Sequence, residues 1–482
     1  MFIAQYIYNF ARQTPTSPAI IHNGESISYG AFANAVTRSR AEISSFNFLP
    51  VGTVAIQIRD LLDCWVVTLA LQAQGYTTIC VRALELLESL EVKNLVAIFV
   101  SAGEEGMLTS HTLAPVFAVS QVDVEGAKPL PSPPLAENVD DCGHILYTSG
   151  TTGKYKKVFV PALTQRAADQ ERCYFQAYDS STRYNSLAFG LWTGNGYKAP
   201  ASVWSVGGTA IFEQRADWAE SFLLSGVTRA TLLPDQALKV SECESLVIAP
   251  PASDARPIIS VSGGFVSARV TAQLSRAFKL INSYGCTEVS LGILYHDYDV
   301  PGDPTCMAST GTRVIEVESE SGGISAINEE GLLRVKLTEL DAEGYMDDLQ
   351  SSREAFRGGY FYPGDLAVQL EDGKFRILGR ATDVVNLAGQ KLAVAPIEAN
   401  LQSMLQLDYV CLFAGVDAAG EPEAVIAMEA AEMPSKDRLD QIGHEFSQWG
   451  EVRFALVEVF PRTQSGTSKI DRKRLRRLLF AD

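Results

Sequence analysis

Short apolar runs alternate along this chain with longer stretches in which apolar residues recur at helical spacing. The segments 54–58 and 95–100 are rich in valine and isoleucine and predict buried β-strands, whereas 60–74 predicts a helix. The largely apolar stretch 64–71 is too short to cross a bilayer and predicts a buried helix. Strands that alternate with helices in this way are typical of α/β folds whose sheets are largely parallel.

The pattern changes after residue 355, where glycine, proline and tyrosine stand close together. Asp372 and Gly373 follow and predict a hairpin turn between strand-like residues. A domain edge near 379–380 fits this change. Upstream, the proline-rich segment 128–135 predicts a connector, because proline cannot join a regular helix or a central strand.

The last hundred residues predict a small α+β unit, with strands near 409–415 and 422–428 and a helix near 435–448. We therefore predict a large N-terminal domain over 1–379 and a small C-terminal domain over 380–482.

Composition and charge exclude some classes of function. The chain has 482 residues with 46% hydrophobic and 20% charged residues, which is ordinary for a globular protein of more than one domain. Its formal net charge of −17 disfavours nucleic acid or an anionic membrane as the main partner, because both require a positive surface. A local basic stretch lies at 469–477.

Cysteine usage and the N-terminus predict a cytoplasmic protein. The 8 cysteines are scattered singly, without a CxxC pair or histidines at zinc-ligand spacing. The first residues lack the basic start and apolar stretch of a signal peptide, and no run is long enough to span a bilayer.

The strongest chemical pattern is the segment 147–157, which follows a strand-like run and combines small residues, hydroxyls and lysines. Such a loop can hold a triphosphate, because its backbone approaches closely, its hydroxyls donate and its ammonium groups offset charge. The Walker A spacing is absent, and a surface turn is the alternative. The candidate phosphate contacts are Thr148, Ser149, Gly150, Thr151, Thr152, Gly153 and Lys156.

This segment resembles the Thr-Ser-Gly-Thr-Thr-Gly-x-Pro-Lys-Gly signature of the adenylate-forming superfamily. That superfamily includes acyl-CoA and aryl-CoA synthetases, peptide synthetase adenylation domains and luciferases. Two positions depart from the signature, since Tyr155 replaces the usual proline and Lys157 the usual glycine. The part 148–153 is intact.

Two later segments also resemble the family, Ser-Gly-Gly at 262–264 and Tyr-Gly-Cys-Thr-Glu at 284–288. The resemblance implies that Tyr284 lies against adenine, that Thr287 contacts the α-phosphate and that Glu288 helps to hold Mg²⁺. A carboxylate suits Mg²⁺ because this ion prefers hard oxygen ligands. The other implied nucleotide contacts are Gly263, Gly264 and Gly285.

A further match is Tyr-Pro-Gly-Asp at 362–365, which resembles the family's Thr-Gly-Asp, so that Asp365 would bind the ribose hydroxyls. The segment 379–383 resembles the junction between the large and small domains. Here Arg380 would contact ribose or phosphate and Thr382 would be the hinge, where the family usually has aspartate or lysine.

The final match is 461–472, which is close to the family's Pro-Arg-Thr-x-Ser-Gly-Lys-Ile-Asp-Arg. Lys469 aligns with the catalytic lysine, although two extra residues precede it. The resemblance implies an α/β fold, with a large N-terminal domain of parallel-rich sheets sandwiched by helices and a small mobile α+β C-terminal lid. It also implies ATP and Mg²⁺ as cofactors and an acyl-adenylate that passes its acyl group to a thiol.

The candidate acyl pocket contains no acidic residue over 188–197, whereas amino-acid-activating relatives place an aspartate there. An aryl or acyl acid is therefore favoured over an α-amino acid, although the same residues could be core packing. The candidate pocket residues are Phe189, Trp192, Gly194, Asn195 and Phe265.

The acceptor is open between coenzyme A and a separate acyl carrier protein, because neither end carries a carrier motif. Many CoA ligases have lysines just before the glycine at 389, and their absence here favours a carrier protein slightly. Two alternatives remain. The chain could be an inactive nucleotide-binding homologue with a regulatory or scaffold role, or a ligase that uses an amine acceptor.

Overall fold

The computed structural model describes residues 3–104, 113–124, 131, 134–137, 141–149, 155–186, 189–247, 256–387, 390–416, 421–463 and 469–480. The predicted connector 128–135 lies mostly outside these residues. The helices are α1 (Ile3–Gln13), α2 (Tyr29–Ser45), α3 (Leu61–Gln72), α4 (Glu85–Leu90), α5 (Ala162–Gln176), α6 (Gly194–Ser205), α7 (Trp218–Leu224), α8 (Pro234–Ser241), α9 (Ala268–Leu274), α10 (Leu349–Ala355), α11 (Val394–Leu405), α12 (Lys436–Phe446) and α13 (Arg472–Leu479).

The strands are β1 (Pro18–His22), β2 (Glu25–Ser28), β3 (Thr53–Gln57), β4 (Thr77–Cys80), β5 (Leu95–Ser101), β6 (Val116–Val119), β7 (Gly143–Ser149), β8 (Tyr155–Pro161), β9 (Arg183–Asn185), β10 (Thr209–Phe212), β11 (Arg229–Leu232), β12 (Ile258–Ser262), β13 (Lys279–Tyr284), β14 (Leu294–Asp297), β15 (Cys306–Ser309), β16 (Ile315–Glu318), β17 (Glu330–Lys336), β18 (Phe356–Arg357), β19 (Tyr360–Phe361), β20 (Asp365–Gln369), β21 (Phe375–Arg380), β22 (Val385–Leu387), β23 (Gln390–Leu392), β24 (Val410–Val416), β25 (Pro422–Glu429) and β26 (Glu451–Val457).

The chain divides into two compact units, each built from three stretches of sequence. The first comprises Met1–Thr231, Cys286–Leu291 and Leu337–Arg353, and the second comprises Leu232–Gly285, Gly292–Lys336 and Glu354–Asp482.

A six-stranded sheet in the first unit has the order β6-β5-β3-β4-β7-β8. Its neighbours run parallel except for β8, which is antiparallel to β7. All of β3 is buried, as is nearly all of α3, which explains why both are continuously apolar in sequence. Asp60 caps α3 by accepting from the backbone N–H groups of Leu62 and Asp63. The strands predicted at 54–58 and 95–100 and the helix predicted at 60–74 are confirmed.

The other sheet of this unit pairs β11, β9, β10 and β1 in parallel, with β2 antiparallel at its edge. Helix α6 is fixed by two large aromatic side chains that it buries. Tyr197 stacks on Trp65 of α3 and on His144 of β7, and Trp204 donates from Nε1 to the carbonyl oxygen of Ala19 at 2.9 Å. This packing sets the position of the helix N-terminus, which carries two of the candidate pocket residues.

The second unit departs from the parallel expectation. In its larger sheet β12 and β13 pair in parallel, and the described strands continue through β14, β15, β21, β20, β17 and β19 in antiparallel order. The connection from β20 to β21 is the predicted hairpin, in which Gly373 has a φ of +79°. A short turn of this kind can join antiparallel strands only. The fold is thus α/β with mixed sheets and helices.

Residues after 384 form an α+β region with an apolar core of its own. Strands β24 and β25 pair antiparallel and β26 joins β25 in parallel, and α11 and α12 bury Leu401, Leu405, Ile442 and Phe446 against this sheet. The strands and helix predicted here are confirmed, while the domain boundary at 379–380 stays a prediction. No helix in the described ranges is both long and apolar enough to cross a membrane.

Candidate active site

The hairpin of β7 and β8 carries the predicted phosphate segment in the first unit. Thr148 pairs with Lys156 and Ser149 with Tyr155, so these pairs flank the loop 150–154. The loop itself, with the predicted contacts Gly150, Thr151, Thr152 and Gly153, and the side chain of Ser149 lie outside the described residues. Antiparallel pairing alone places the candidates Thr148 and Lys156 side by side.

The candidate magnesium ligand Glu288 is buried, with 6% of its surface exposed, and its carboxylate has a defined partner. The hydroxyl of Tyr345 donates to Oε1 of Glu288 at 2.8 Å. The ammonium of Lys156 lies 4.6 Å from the centre of the same tyrosine ring, within the range of a cation–π interaction. The structure thus joins a phosphate-segment lysine to the metal-ligand candidate through a tyrosine that the sequence reasoning missed.

Thr287 precedes this carboxylate and lies against the first turn of α6. A Cβ added to Gly194 would lie 3.7 Å from Oγ1 of Thr287, so the absence of a side chain at 194 leaves the threonine hydroxyl accessible. Lys198, one turn along α6, donates from Nζ to the carbonyl oxygen of Thr287 at 3.1 Å. Burial and, to a smaller extent, the nearby cation of Arg172 lower the pKa of Lys198 to about 8. Lys198 was also missed, since a single lysine among apolar residues carries no sequence signature.

The candidate pocket residue Asn195 lies in the first turn of α6, next to Gly194, and the oxygen of its side-chain amide is hydrogen-bonded. Tyr184 donates from its hydroxyl to Oδ1 of Asn195 at 2.9 Å, and the same hydroxyl lies 2.9 Å from Oγ1 of Thr231. The Nδ2 of Asn195 is buried and has no hydrogen-bond partner among the described residues. A buried donor left in this way costs about 1–3 kcal/mol unless a ligand accepts from it.

The two aromatic pocket candidates of this unit differ in their surroundings. Phe189 is buried, whereas Trp192 packs against the core around Ile79, Ile145 and Tyr147 of the six-stranded sheet. The guanidinium of Arg82 lies over the Trp192 ring at 5.8 Å. Trp192 is half-buried and lies against this core, and its role in the acyl pocket stays a prediction.

In the second unit, Tyr284, Asp365 and Arg380 form a connected group. Tyr284 ends β13, Asp365 begins β20, and Arg380 ends β21 directly opposite Asp365 in the strand register. The Tyr284 hydroxyl donates to Oδ2 of Asp365, and Nε of Arg380 lies 3.3 Å from Oδ1. Asp365 is buried, with 6% of its surface exposed, so its carboxylate is fixed in place.

Lys469 lies in the second unit beside the Gly-Gly turn. Gly263 follows β12 with a φ of +88°, a conformation that favours glycine. A Cβ at this position would lie 3.7 Å from Cε of Lys469. The paired residues Ser262 and Ser283 precede Gly263 and Tyr284, so the parallel strands bring the turn and the tyrosine together.

Pairing on both sides of 464–468 fixes the chain at Lys469. Arg462 forms a bridge with Ile470, and the N–H of Thr463 donates to the carbonyl oxygen of Lys469 at 2.7 Å.

The remaining candidates of the second unit lie near the surface. Gly264 and Phe265 are half-buried in the turn after β12, and Gly285 is exposed. Thr382 is also exposed, with Oγ1 3.4 Å from Oδ1 of Asp383, and its hinge role stays a prediction.

The side chains of both groups have the chemistry that Mg·ATP requires. Tyr345 occupies only one oxygen of Glu288, which leaves Oε2 as a hard ligand for Mg²⁺. The cations Lys156, Arg380 and Lys469 can offset phosphate charge, and Asp365 can accept from hydroxyl groups. The residues present therefore fit the nucleotide and the metal.

Known proteins resemble this chain over most of its length. Residues 7–345 match the model of the family described as AMP-binding enzyme. The 2-succinylbenzoate–CoA ligase of Bacillus licheniformis is 24% identical over 423 residues, which cover 82% of each chain. Several much longer synthases and synthetases match at 22–27% identity, and this chain spans only 4–13% of their length.

Solved structures show the same fold. The o-succinylbenzoate CoA synthetase MenE of Bacillus subtilis, in complex with ATP and magnesium, superposes with a TM-score of 0.77 at 18% identity and covers 98% of this chain and 99% of its own. The amide bond synthetase McbA of Marinactinospora thermotolerans superposes with a TM-score of 0.79 at 18% identity, covering 99% of this chain and 100% of its own. The chain therefore belongs to the AMP-binding enzymes of the adenylate-forming superfamily, a family of AMP-forming acid–thiol ligases, as its motifs predicted.

Proposed function

We propose that this enzyme joins a carboxylic acid to AMP at the expense of Mg·ATP and then passes the acyl group to a thiol. The observation that carries the proposal is Lys469 beside Gly263, in the group that also contains Tyr284 and Asp365. A lysine that stabilises adenylation must lie next to the residues that hold the nucleotide. Its presence there favours a working catalyst over an inactive scaffold.

In the first step the substrate carboxylate attacks the α-phosphate of ATP and pyrophosphate leaves. Lys469 stabilises the negative charge that the carboxylate and α-phosphate share in the transition state, and Thr287 donates to the α-phosphate. Bound Mg²⁺ would neutralise charge on the reacting phosphates, with Glu288 as its protein ligand. No nucleophilic side chain is required, since the protein positions the reactants.

The nucleotide is held by side chains of complementary chemistry. Asp365 accepts from the ribose hydroxyls, Tyr284 lies against adenine and Arg380 contacts ribose or phosphate. Thr148 and Lys156, side by side on the hairpin of β7 and β8, bind the phosphates.

The acid is an aryl or acyl acid without an α-ammonium group. The segment 188–197 contains no acidic residue that could pair with such an ammonium. The unpartnered Nδ2 of Asn195 instead suits an oxygen on the substrate. The name of the relative 2-succinylbenzoate–CoA ligase, which contains an aromatic acid, supports the aryl choice.

A thiol is the proposed acceptor, either coenzyme A or a carrier protein. The name of the same relative supports coenzyme A. The exposed basic residues of α13 suit the phosphates of coenzyme A and an acidic carrier protein equally. The second step releases AMP as the thiolate attacks the acyl carbonyl carbon.

The test is exchange of labelled pyrophosphate into ATP, with Mg²⁺, across a panel of aromatic, fatty and amino acids. We expect exchange with one class of acid other than amino acids. A Lys469→Ala variant should bind ATP normally but lose exchange by about 10²-fold or more, as expected for a charge-stabilising group. Lys473→Ala, an exposed lysine on α13, is the matched control and should exchange at the normal rate.

The outcomes separate the candidate functions. Binding of Mg·ATP without exchange on any acid would contradict the proposal and favour an inactive homologue. Once the acid is known, coenzyme A, a phosphopantetheinylated carrier protein and simple amines are supplied separately and AMP release is followed. Release that depends on amines alone would refute the thiol acceptor.

A further inference from the structure

Lys157 stands where the family signature usually has glycine, and it is almost fully buried, with 5% of its surface exposed. Its ammonium donates to the carbonyl oxygen of Glu91 at 2.9 Å and to Oδ2 of Asp347 at 3.0 Å. A buried ammonium is tolerated only when it is paired and hydrogen-bonded. The lysine is therefore part of a built contact and not a surface replacement for glycine.

Its partner segment 345–347 is fixed to β8 by both backbone and side chains. The N–H of Met346 donates to the carbonyl oxygen of Lys157 at 2.9 Å, and Lys93 forms a second ion pair with Asp347 at 2.7 Å. Burial alone would raise the pKa of Asp347, but the hydrogen bonds from Lys93 and Lys157 outweigh it and keep this pKa below its usual value. Asp347 thus stays ionised as the anchor of the segment.

The segment begins with Tyr345, whose hydroxyl donates to Oε1 of Glu288 at 2.8 Å and whose ring lies under the ammonium of Lys156. The neighbouring lysines of β8 therefore hold the same segment in different ways. Lys157 fixes its backbone through Met346 and its carboxylate through Asp347, and Lys156 covers the tyrosine ring.

We propose that Tyr345 and Lys157 are positioning residues for the magnesium ligand Glu288. Tyr345 fixes the rotamer of the carboxylate by occupying Oε1, so that Oε2 is presented to the metal. Lys157 and Asp347 hold the segment from which Tyr345 reaches the carboxylate. This inference rests on the proposed function, in which Glu288 binds Mg²⁺.

The experiment measures ATP affinity by calorimetry with and without Mg²⁺, in the absence of an acid substrate so that no turnover occurs. Wild type should bind ATP more tightly with Mg²⁺, and Glu288→Gln should lose most of that gain. Tyr345→Phe keeps the ring for Lys156 but removes the hydroxyl. The factor by which Mg²⁺ tightens ATP binding should fall about 10- to 150-fold, the value of one hydrogen bond to a charged group. Affinity without Mg²⁺ should not change.

Lys157→Met and Asp347→Asn should lose the Mg²⁺-dependent increase in ATP affinity to the same extent. Asn tolerates the φ of +60° at 347, so Asp347→Asn tests the anchor even if Lys157→Met folds poorly. Tyr155→Phe, which removes a hydroxyl two residues away on the same strand, is the matched control and should leave the gain intact.

Each inference can fail separately. If Glu288→Gln loses the Mg²⁺ gain but Tyr345→Phe keeps it, the positioning role is wrong and the proposed function survives. If Tyr345→Phe loses the gain while Lys157→Met and Asp347→Asn lower only the melting temperature, Lys157 is structural and its assigned role is overturned. A wild-type protein whose ATP affinity does not respond to Mg²⁺ would overturn both proposals.

Discussion

Replacing Asp365 by asparagine should show whether its carboxylate reads the ribose. Oδ2 accepts from Tyr284 and Oδ1 faces Arg380, so each oxygen keeps one lone pair for a ribose hydroxyl. Two hydrogen bonds to an ionised acceptor contribute about 3–6 kcal/mol, and an amide of the same shape keeps about half of this. We therefore expect Asp365→Asn to weaken ATP binding by about 1.5–3 kcal/mol, roughly 10- to 150-fold in Kd.

The decisive assay compares ATP with 2′,3′-dideoxy-ATP by calorimetry for both proteins. Wild type should prefer ATP strongly, and Asp365→Asn should lose most of this preference because the hydroxyls have lost their acceptor. Asp372→Asn, on the exposed hairpin between β20 and β21, is the control and should keep the preference of wild type. If Asp365→Asn weakens both nucleotides equally, the carboxylate supports the fold around Tyr284 and does not read the ribose.

The next predictions concern pH and the C-terminal region. Burial lowers the pKa of His144 to about 4 from 6.5, although its Nε2 donates to the carbonyl oxygen of Leu191. Between these values the unfolded chain takes up a proton that the folded chain does not. The free energy of unfolding in urea should therefore fall by up to about 3 kcal/mol as pH drops through this window, and equal slopes for wild type and His144→Asn would contradict this. Asp408 is paired with Arg269, and Asp408→Ala should slow pyrophosphate exchange up to about 5-fold, the value of a partly exposed ion pair. The control Asp372→Ala breaks an exposed pair with Lys374, and an equal effect in both variants would contradict this prediction.

The chemistry of the candidate site could be predicted from residues close together in sequence. Three short segments can each be recognised in the sequence, because their proposed functions need particular residue types at fixed spacing. They are the loop of hydroxyls and glycines, the Tyr-Gly-Cys-Thr-Glu segment and the Pro-Gly-Asp turn. The strands and helices of the α/β fold were predictable for a similar reason, since burial on one or both faces dictates the apolar pattern.

The structure was needed where a role depends on contacts between distant residues. Tyr345 and Glu288 are 57 positions apart, and Lys157 and Asp347 are 190 apart, so neither pair leaves a local pattern. The sequence marks Lys157 only as a departure from glycine, which raised the possibility of an inactive homologue. Folding buries its ammonium, and burial requires the charge to be paired.

The sequence by itself thus determined the family and the fold class and supplied the candidates for the reactive groups, because local composition carries that information. Tertiary structure decided which of these groups are held by others. It gave Glu288 its hydroxyl partner, gave Asp365 its tyrosine and arginine, and packed Trp192 against the core of the six-stranded sheet. Tertiary structure also decided strand direction. The apolar pattern of a single strand does not set its direction, whereas the turns and the pairing partners select antiparallel order in the large sheet of the second unit.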